Sequence, residues 1–337
     1  MKNYKRNAVL LALITLTVLY FSLRDEFEGV IKQVLSVNIW WVLLAVLIMI
    51  VVWFLRAYVF YLMVKPFKKT YKLEDSFKLS VINQFLNGIT PFAAGGQAAQ
   101  IYILKKDGLS MPKATTVTVQ TFIVSQIALV ICMTLALLAN FYTNIFEEII
   151  ILKQLMIIAF ILNAGTIIIL FLISFAKNSN KFIIKKLIRI FAFKTTKEEK
   201  EKIIDKWNDF IDQFHDSALY LQKHKMLFVK GILLSIVNLL LVYSVPLILM
   251  YSLGANNSIN YIETVVASIY AMSIAAYVPL PGGSGGSEFT FVYFYSTFLV
   301  GAKLTALMLL WRFVTYYLGL LLGAIVLLTS KKMEVTK

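Results

Sequence analysis

Hydrophobic sequence in this chain is broken twice by glycine and proline, and the later break, Tyr277 to Phe289, sits between two long apolar runs with no lysine or arginine inside it. Pro279 and Pro281 end a helix there, and Gly282, Gly283, Gly285 and Gly286 do not rebuild one cheaply. The earlier break lies within Asn83 to Gln100, where Asn87-Gly88-Ile89-Thr90-Pro91 is followed by Gly95-Gly96-Gln97. Backbone polar groups that no helix satisfies cannot face lipid, so each break must be buried in protein or line a wet cavity. Two interrupted hydrophobic segments, one per half, form the pattern of a transporter-like site.

The flanking sequence sets the class. Of 337 residues, 59% are hydrophobic, and the mean hydropathy of +0.77 predicts several segments long enough to cross a bilayer. The expected fold is an all-α polytopic membrane protein. The net charge of +15 would also suit nucleic acid. The basic residues, however, concentrate in loops on one side of the predicted membrane, which positive-inside topology and an anionic leaflet explain better. The single cysteine, Cys132, lies in an apolar run and builds neither a disulfide framework nor a Cys-based metal site. His215 and His224 lack the spacing of metal ligands. There is no Gly-Lys-Ser/Thr phosphate loop, and nothing resembles a Ser-His-Asp or paired-carboxylate set at membrane depth. No catalytic residue, metal or cofactor is therefore expected.

Lys2, Lys5 and Arg6 precede an apolar run from Ala8 to Leu23, which Arg24-Asp25-Glu26 follows in place of a cleavage site. This predicts a retained signal anchor with a cytoplasmic N-terminus. Further spans are expected at about Ile39 to Val64, Ala114 to Phe141, Ile149 to Phe175, Leu227 to Leu253 and Leu304 to Thr329, about six in all. The charge bias places both termini and the 177–225 loop in the cytoplasm of a cell-membrane, multi-pass protein. A first re-entrant hairpin, 74–106, would dip from the cytoplasmic side and a second, 261–300, from outside. Opposed broken segments are what an inverted-topology repeat would produce. One integral membrane domain results, with halves 1–176 and 227–330 around a basic linker, 177–226. In that linker Phe182 to Phe191 alternates apolar residues and cations at helical spacing, as a helix lying on an anionic leaflet would. Lys197 to Gln222 reads as a second amphipathic helix.

Charges inside the spans carry the functional reading. Arg56 stands about nine residues before Lys65, or ~13 Å along a helix. Arg312 lies within the last span, and Glu288 closes the second hairpin. A charge at mid-bilayer costs ~2.5–3.5 kcal/mol, so each should face the interior and find a partner. Glu288 with Arg312 is the cheapest pairing. Such a pair either pins the hairpin to the last helix or offers a cation to a lipid phosphate. Asn83, Asn87, Gln97 and Gln100 add uncharged polar groups around the first hairpin, and the amides of Gly282 to Gly286 suggest an anion nest.

Asn83-x-x-x-Asn87-x-x-x-Pro91-x-x-x-Gly95-Gly96-Gln97-x-x-Gln100, together with Pro279-x-Pro281-Gly282-Gly283-x-Gly285-x-x-Glu288 and Arg312 in Trp-Arg-Phe-x-Thr-Tyr-Tyr, resembles the lysylphosphatidylglycerol synthase/flippase transmembrane family. The resemblance covers nearly the whole chain. It implies a flippase region, to which bifunctional members add a cytoplasmic domain that transfers lysine from charged tRNA onto phosphatidylglycerol. The chain runs only a few residues past its last predicted span, so that aminoacyltransferase domain is expected to be missing. The family's Gly-Gly-Glu and following Arg appear here as Gln97 and Gln100, which shifts weight to Glu288 and Arg312.

The resemblance and the polar pattern together point to a translocase for a phospholipid, with aminoacylated (lysyl-)phosphatidylglycerol as the family's substrate. A phosphatidylglycerol lysyltransferase, acting alone or with a partner and using lysyl-tRNA, is the alternative. A non-transporting scaffold using the basic 177–225 loop is the third reading. Expected partners are the phospholipid, the anionic leaflet through that loop and, as an open question, further copies of the chain.

Overall fold

The computed structural model describes residues 27–143, 146, 150–191, 196–255 and 260–329. The anchor expected at Ala8 to Leu23, the acidic pair Glu147-Glu148, the outer-loop Asn257 and the closing Lys331 and Lys332 lie outside the described residues. Those described form helices α1 (Phe27–Leu35), α2 (Ile39–Val64), α3 (Leu73–Ile89), α4 (Gly95–Lys106), α5 (Met111–Thr143), α6 (Ile150–Phe175) and α7 (Lys177–Phe191). Then come α8 (Lys197–Gln222), α9 (Lys225–Ser252), α10 (Tyr261–Ala275), α11 (Gly286–Tyr295), α12 (Gly301–Arg312) and α13 (Leu318–Thr329). No strand occurs among them. Among the described residues, five helical stretches are long and apolar enough to cross a membrane: α2, α5, most of α6, α9, and the continuous stretch Gly301–Thr329 that joins α12 to α13. The chain is an all-α polytopic membrane protein.

The apolar runs become helices because a bilayer leaves the backbone no other way to satisfy its own polar groups. α2 starts at Asn38, whose side chain accepts the Trp40 amide at 3.1 Å. Trp40 itself is exposed at that end, the position of an interfacial aromatic. α2 packs most extensively on α9. Polar side chains reinforce that packing inside the apolar layer, with Asn238 Nδ2 donating to the Val52 carbonyl at 2.7 Å. Ser76 likewise donates to the Ala57 carbonyl at 2.6 Å and fixes α3 against α2.

Both broken segments fold as helix, tight turn, helix, and the two turns open alike before diverging at Ala94 (φ/ψ −87/−16) and Ser284 (−55/142). Thr90 and Leu280 are extended, with φ/ψ of −114/143 and −109/151. Pro91 and Pro281 each open a 3₁₀ turn, and the next two residues take positive φ: Phe92 (54°) and Ala93 (51°) in one, Gly282 (63°) and Gly283 (61°) in the other. Glycine adopts this region at no steric cost, whereas Phe92 and Ala93 are strained in it.

The last span shows how the hairpins are set. Its second half, α13, lies antiparallel on α3, where Gly319 and Gly323 form a small-xxx-small contact. A Cβ on Gly319 would fall 2.9 Å from Gln84 Cγ, and one on Gly323 would fall 2.6 Å from the Val81 carbonyl. Its first half, α12, packs on α11 of the second hairpin, with the rings of Phe291 and Trp311 stacked 4.3 Å apart. Between the halves, Phe313–Tyr317 is one π-helical turn, and there the two tips touch each other. The hairpins therefore enter from opposite ends of the last helix and meet at its middle, the arrangement expected of opposed re-entrant segments.

α7 follows α6 after only Ala176 and folds back on α8. Asp212 of α8 binds both Lys177 (2.9 Å) and Lys181 (2.7 Å). The same charge pair holds the Asp212 carboxyl below its usual range, with the hydrogen bond from Lys181 the larger cause and that from Lys177 the next. Phe182, Ile183, Leu187 and Ile190 remain exposed on the face of α7 turned away from α8.

Candidate functional site

A cavity of about 290 Å³ opens between the first hairpin and the spans α2, α5 and α9. Arg56 of α2 lines it eight residues short of the helix end at Val64, which is ~12 Å along the axis. Its guanidinium is held from two sides: Nε donates to Asn238 Oδ1 at 3.3 Å, and a terminal nitrogen donates to Gln84 Oε1 at 2.9 Å. Both partners are neutral carboxamides, and among the described residues Arg56 makes no ion pair. The side chain is aimed by hydrogen bonds without being neutralised, and its remaining surface is open to the cavity.

The rest of the wall is uncharged. The first hairpin supplies Ser80, Asn83 and Asn87 from α3, with Gln97 and Gln100 from α4. α5 supplies Thr118, Thr121 and Ser125, and α9 supplies Ser235 and Asn238. Val59, Phe60, Phe122 and Leu239 are the apolar lining. The wall thus carries one fixed positive charge and a set of groups able to donate and accept. Such a surface attracts one anionic group and hydrogen-bonds its neutral substituents.

The turn before α4 is built by its own side chains. Gly96 N–H donates to Asn87 Oδ1 at 2.8 Å, Asn87 Nδ2 donates to Asn83 Oδ1 at 2.7 Å, and Gly95 N–H donates to Thr90 Oγ1 at 3.0 Å. These contacts cap the amides at the start of the returning helix. They also explain Gly96, since a Cβ there would lie 2.4 Å from Asn87 Oδ1.

The second hairpin is closed by a buried network of its own groups and Arg312. Arg312 Nε donates to Glu288 Oε1 at 2.7 Å, and its terminal nitrogens reach that carboxylate, the Ser287 hydroxyl and the Gly282 carbonyl (3.3 and 3.4 Å). The guanidinium lies over the Tyr316 ring at 4.9 Å. Glu288 Oε2 accepts the Gly285 N–H at 2.7 Å, while the Gly283 and Ser284 amides are taken by the carbonyls of Leu280 and Pro281. The anion nest expected from Gly282 to Gly286 is thus filled by the chain's own carboxylate. Its glycines serve the turn and the approach to Tyr316, whose hydroxyl oxygen would lie 2.3 Å from a Cβ on Gly282.

Of the candidate residues read from the sequence, Arg56, Asn83, Asn87, Gln97 and Gln100 come together around the cavity. Glu288, Arg312, Gly282, Gly283 and Gly285 form a separate cluster outside its lining. Pro91, Gly95 and Gly96 shape the first tip, Pro281 opens the second turn, and Pro279 stands beyond the end of α10. Sequence reasoning passed over Asn238 and Ser235. Their signal was isolated polar residues inside the apolar run of α9, which near a lone span arginine should be suspected as its partners. Among the described residues no group of three or more His, Cys, Asp or Glu could hold a metal ion.

Comparison with known proteins agrees with this architecture. The chain is 26% identical over 324 residues to a UPF0104 membrane protein of Pyrococcus horikoshii, covering 92% of each. It is 23% identical over 262 residues to a UPF0104 membrane protein of Archaeoglobus fulgidus, covering 74% of each. The family model described as the lysylphosphatidylglycerol synthase TM region matches residues 8–323. With that match spanning both hairpins and reaching into the last described span, this chain belongs to the lysylphosphatidylglycerol synthase transmembrane-region family.

Proposed function

We propose that the protein is a lipid translocase in which the phosphate of a phospholipid headgroup enters the cavity and pairs with Arg56 while the acyl chains stay in the bilayer. The observation that carries this reading is the state of Arg56: a guanidinium well inside a span, oriented by Gln84 and Asn238, without a carboxylate partner among the described residues, and facing a polar cavity. A cation kept at that depth costs ~2.5–3.5 kcal/mol on insertion scales, and a transient anionic ligand offsets the cost. Arg312, with its donors committed to Glu288, Ser287 and Gly282, acts in this reading as the clamp of the second hairpin. The cavity hydroxyls have no His, Cys or carboxylate among the lining residues to activate them as nucleophiles, an arrangement suited to binding.

The test is fluorescent-lipid flipping in proteoliposomes. Arg56→Met is expected to cut flux by about tenfold or more, and Arg56→Lys to recover part of it, because a point charge attracts phosphate without the guanidinium fork. Wild-type flux in Arg56→Met would end the assignment. Membranes containing only this chain are expected to incorporate no radiolabelled lysine into lipid; incorporation would favour a lysyltransferase instead.

A further inference from the structure

The charge inventory of the cavity narrows the headgroup. Among the described residues Arg56 is the one charged residue of its lining, and no carboxylate stands among the rest. A headgroup with ammonium groups beyond its phosphate would bring them beside a fixed cation, with nothing acidic to pair them. Buried charges of that kind demand a counter-ion, and like charges sharing a low-dielectric site repel. A headgroup that continues from its phosphate into hydroxyls meets the opposite situation: Gln100 offers both a donor and an acceptor, Asn83 keeps its amide nitrogen and Gln97 its carbonyl oxygen, while Asn87 is spent within the tip on Gly96 and Asn83.

From this we infer that the site selects an anionic phospholipid whose headgroup beyond the phosphate is neutral and hydroxyl-bearing, a glycerol or a cyclic polyol, and disfavours aminoacylated and zwitterionic headgroups. The consequence for transport rests on the translocase reading. The consequence for binding rests on the cavity alone.

The full chain in detergent and in proteoliposomes tests both. Thermal stability is measured with phosphatidylglycerol, phosphatidylinositol, phosphatidylethanolamine and lysylphosphatidylglycerol added to the micelles, and flipping is measured with acyl-labelled forms of the same four. Phosphatidylglycerol and phosphatidylinositol are expected to raise Tm and to cross at least about tenfold faster than the other two, a ratio worth ~1.4 kcal/mol. Their relative rates separate the glycerol source from the polyol source. Gln97→Glu adds the missing carboxylate with little change of shape and should invert the order toward lysylphosphatidylglycerol. Gln100→Glu repeats the test from the next turn of α4 should the first variant fail to fold.

Equal or stronger stabilisation of the wild type by lysylphosphatidylglycerol overturns the inference while leaving the translocase reading in place. Selective Tm shifts without flux in any arm overturn the translocase reading and keep the selectivity. Absence of selectivity in both measurements, with folded Glu variants unchanged, overturns the inference outright.

Discussion

The Tyr316 hydroxyl donates to the Gly88 carbonyl at 3.0 Å, so a residue of the last helix closes the tip of a hairpin 228 positions earlier in the chain. The same ring lies against Gly282 of the other tip and under the Arg312 guanidinium. Tyr316→Phe removes one hydroxyl and leaves a buried carbonyl without its donor, which costs about 1–3 kcal/mol. The expected outcome is a lower Tm in detergent with insertion unchanged. Stability equal to wild type would show that the contact holds nothing.

Arg312→Met alone leaves Glu288 charged and buried, and should destabilise by about 3–5 kcal/mol. The double variant Glu288→Gln with Arg312→Met keeps an acceptor for the Gly285 N–H while discharging the pair. Stability and lipid flux should both return to most of their wild-type values. A stable but inactive double variant would move the phosphate site from Arg56 to Arg312.

Ala93→Gly relieves one of the two strained residues of the first tip. Left-handed backbone costs a non-glycine residue roughly 1–2 kcal/mol, and the added freedom of the unfolded chain takes back ~0.5–1 kcal/mol. A small net rise in Tm is expected, whereas the same change at Ala99, inside α4, should lower it.

How much was legible beforehand differs between the two levels. α2 and α8 run over the residues that hydropathy and charge spacing predicted, Ile39–Val64 and Lys197–Gln222, because helix period and bilayer thickness are local properties of the sequence. Both tips were legible for the same reason: Pro91 and Pro281 leave the backbone few choices. The Glu288–Arg312 pair followed from the cost of leaving either charge alone. The division between a hairpin that lines a polar cavity and one that buries an ion pair was hidden. It depends on Asn238 reaching across from a helix 182 residues away from Arg56, a contact that no local pattern encodes.

The acid response of the linker follows from Asp212. Its carboxyl is depressed by Lys181 and Lys177, so the contribution to α7–α8 docking is fully present above the unfolded Asp value of ~3.9 and is lost as pH falls through the lower folded value. Hydrogen exchange across 177–191 should quicken below about pH 4. Asp212→Asn should reproduce that exchange at neutral pH.

The exposed apolar face of α7, Phe182, Ile183, Leu187 and Ile190, is flanked in sequence by Lys185 and Lys186, while Arg189 reaches Glu201 of α8 at 3.8 Å. That composition suits the boundary of an anionic leaflet. Brominated-lipid quenching of a Phe182→Trp reporter should be strong in vesicles containing phosphatidylglycerol and weaker once Lys185 and Lys186 are changed to Glu. Weak quenching in both would place the helix in water.

The like opening of the two tips, lined by polar side chains in one hairpin and sealed by a carboxylate in the other, separates two burdens. Substitutions at Ser80, Gln97 or Gln100 can alter the cavity wall while leaving the Glu288–Arg312 pair of the second tip intact, whereas Gly88 in the same stretch is tied to Tyr316.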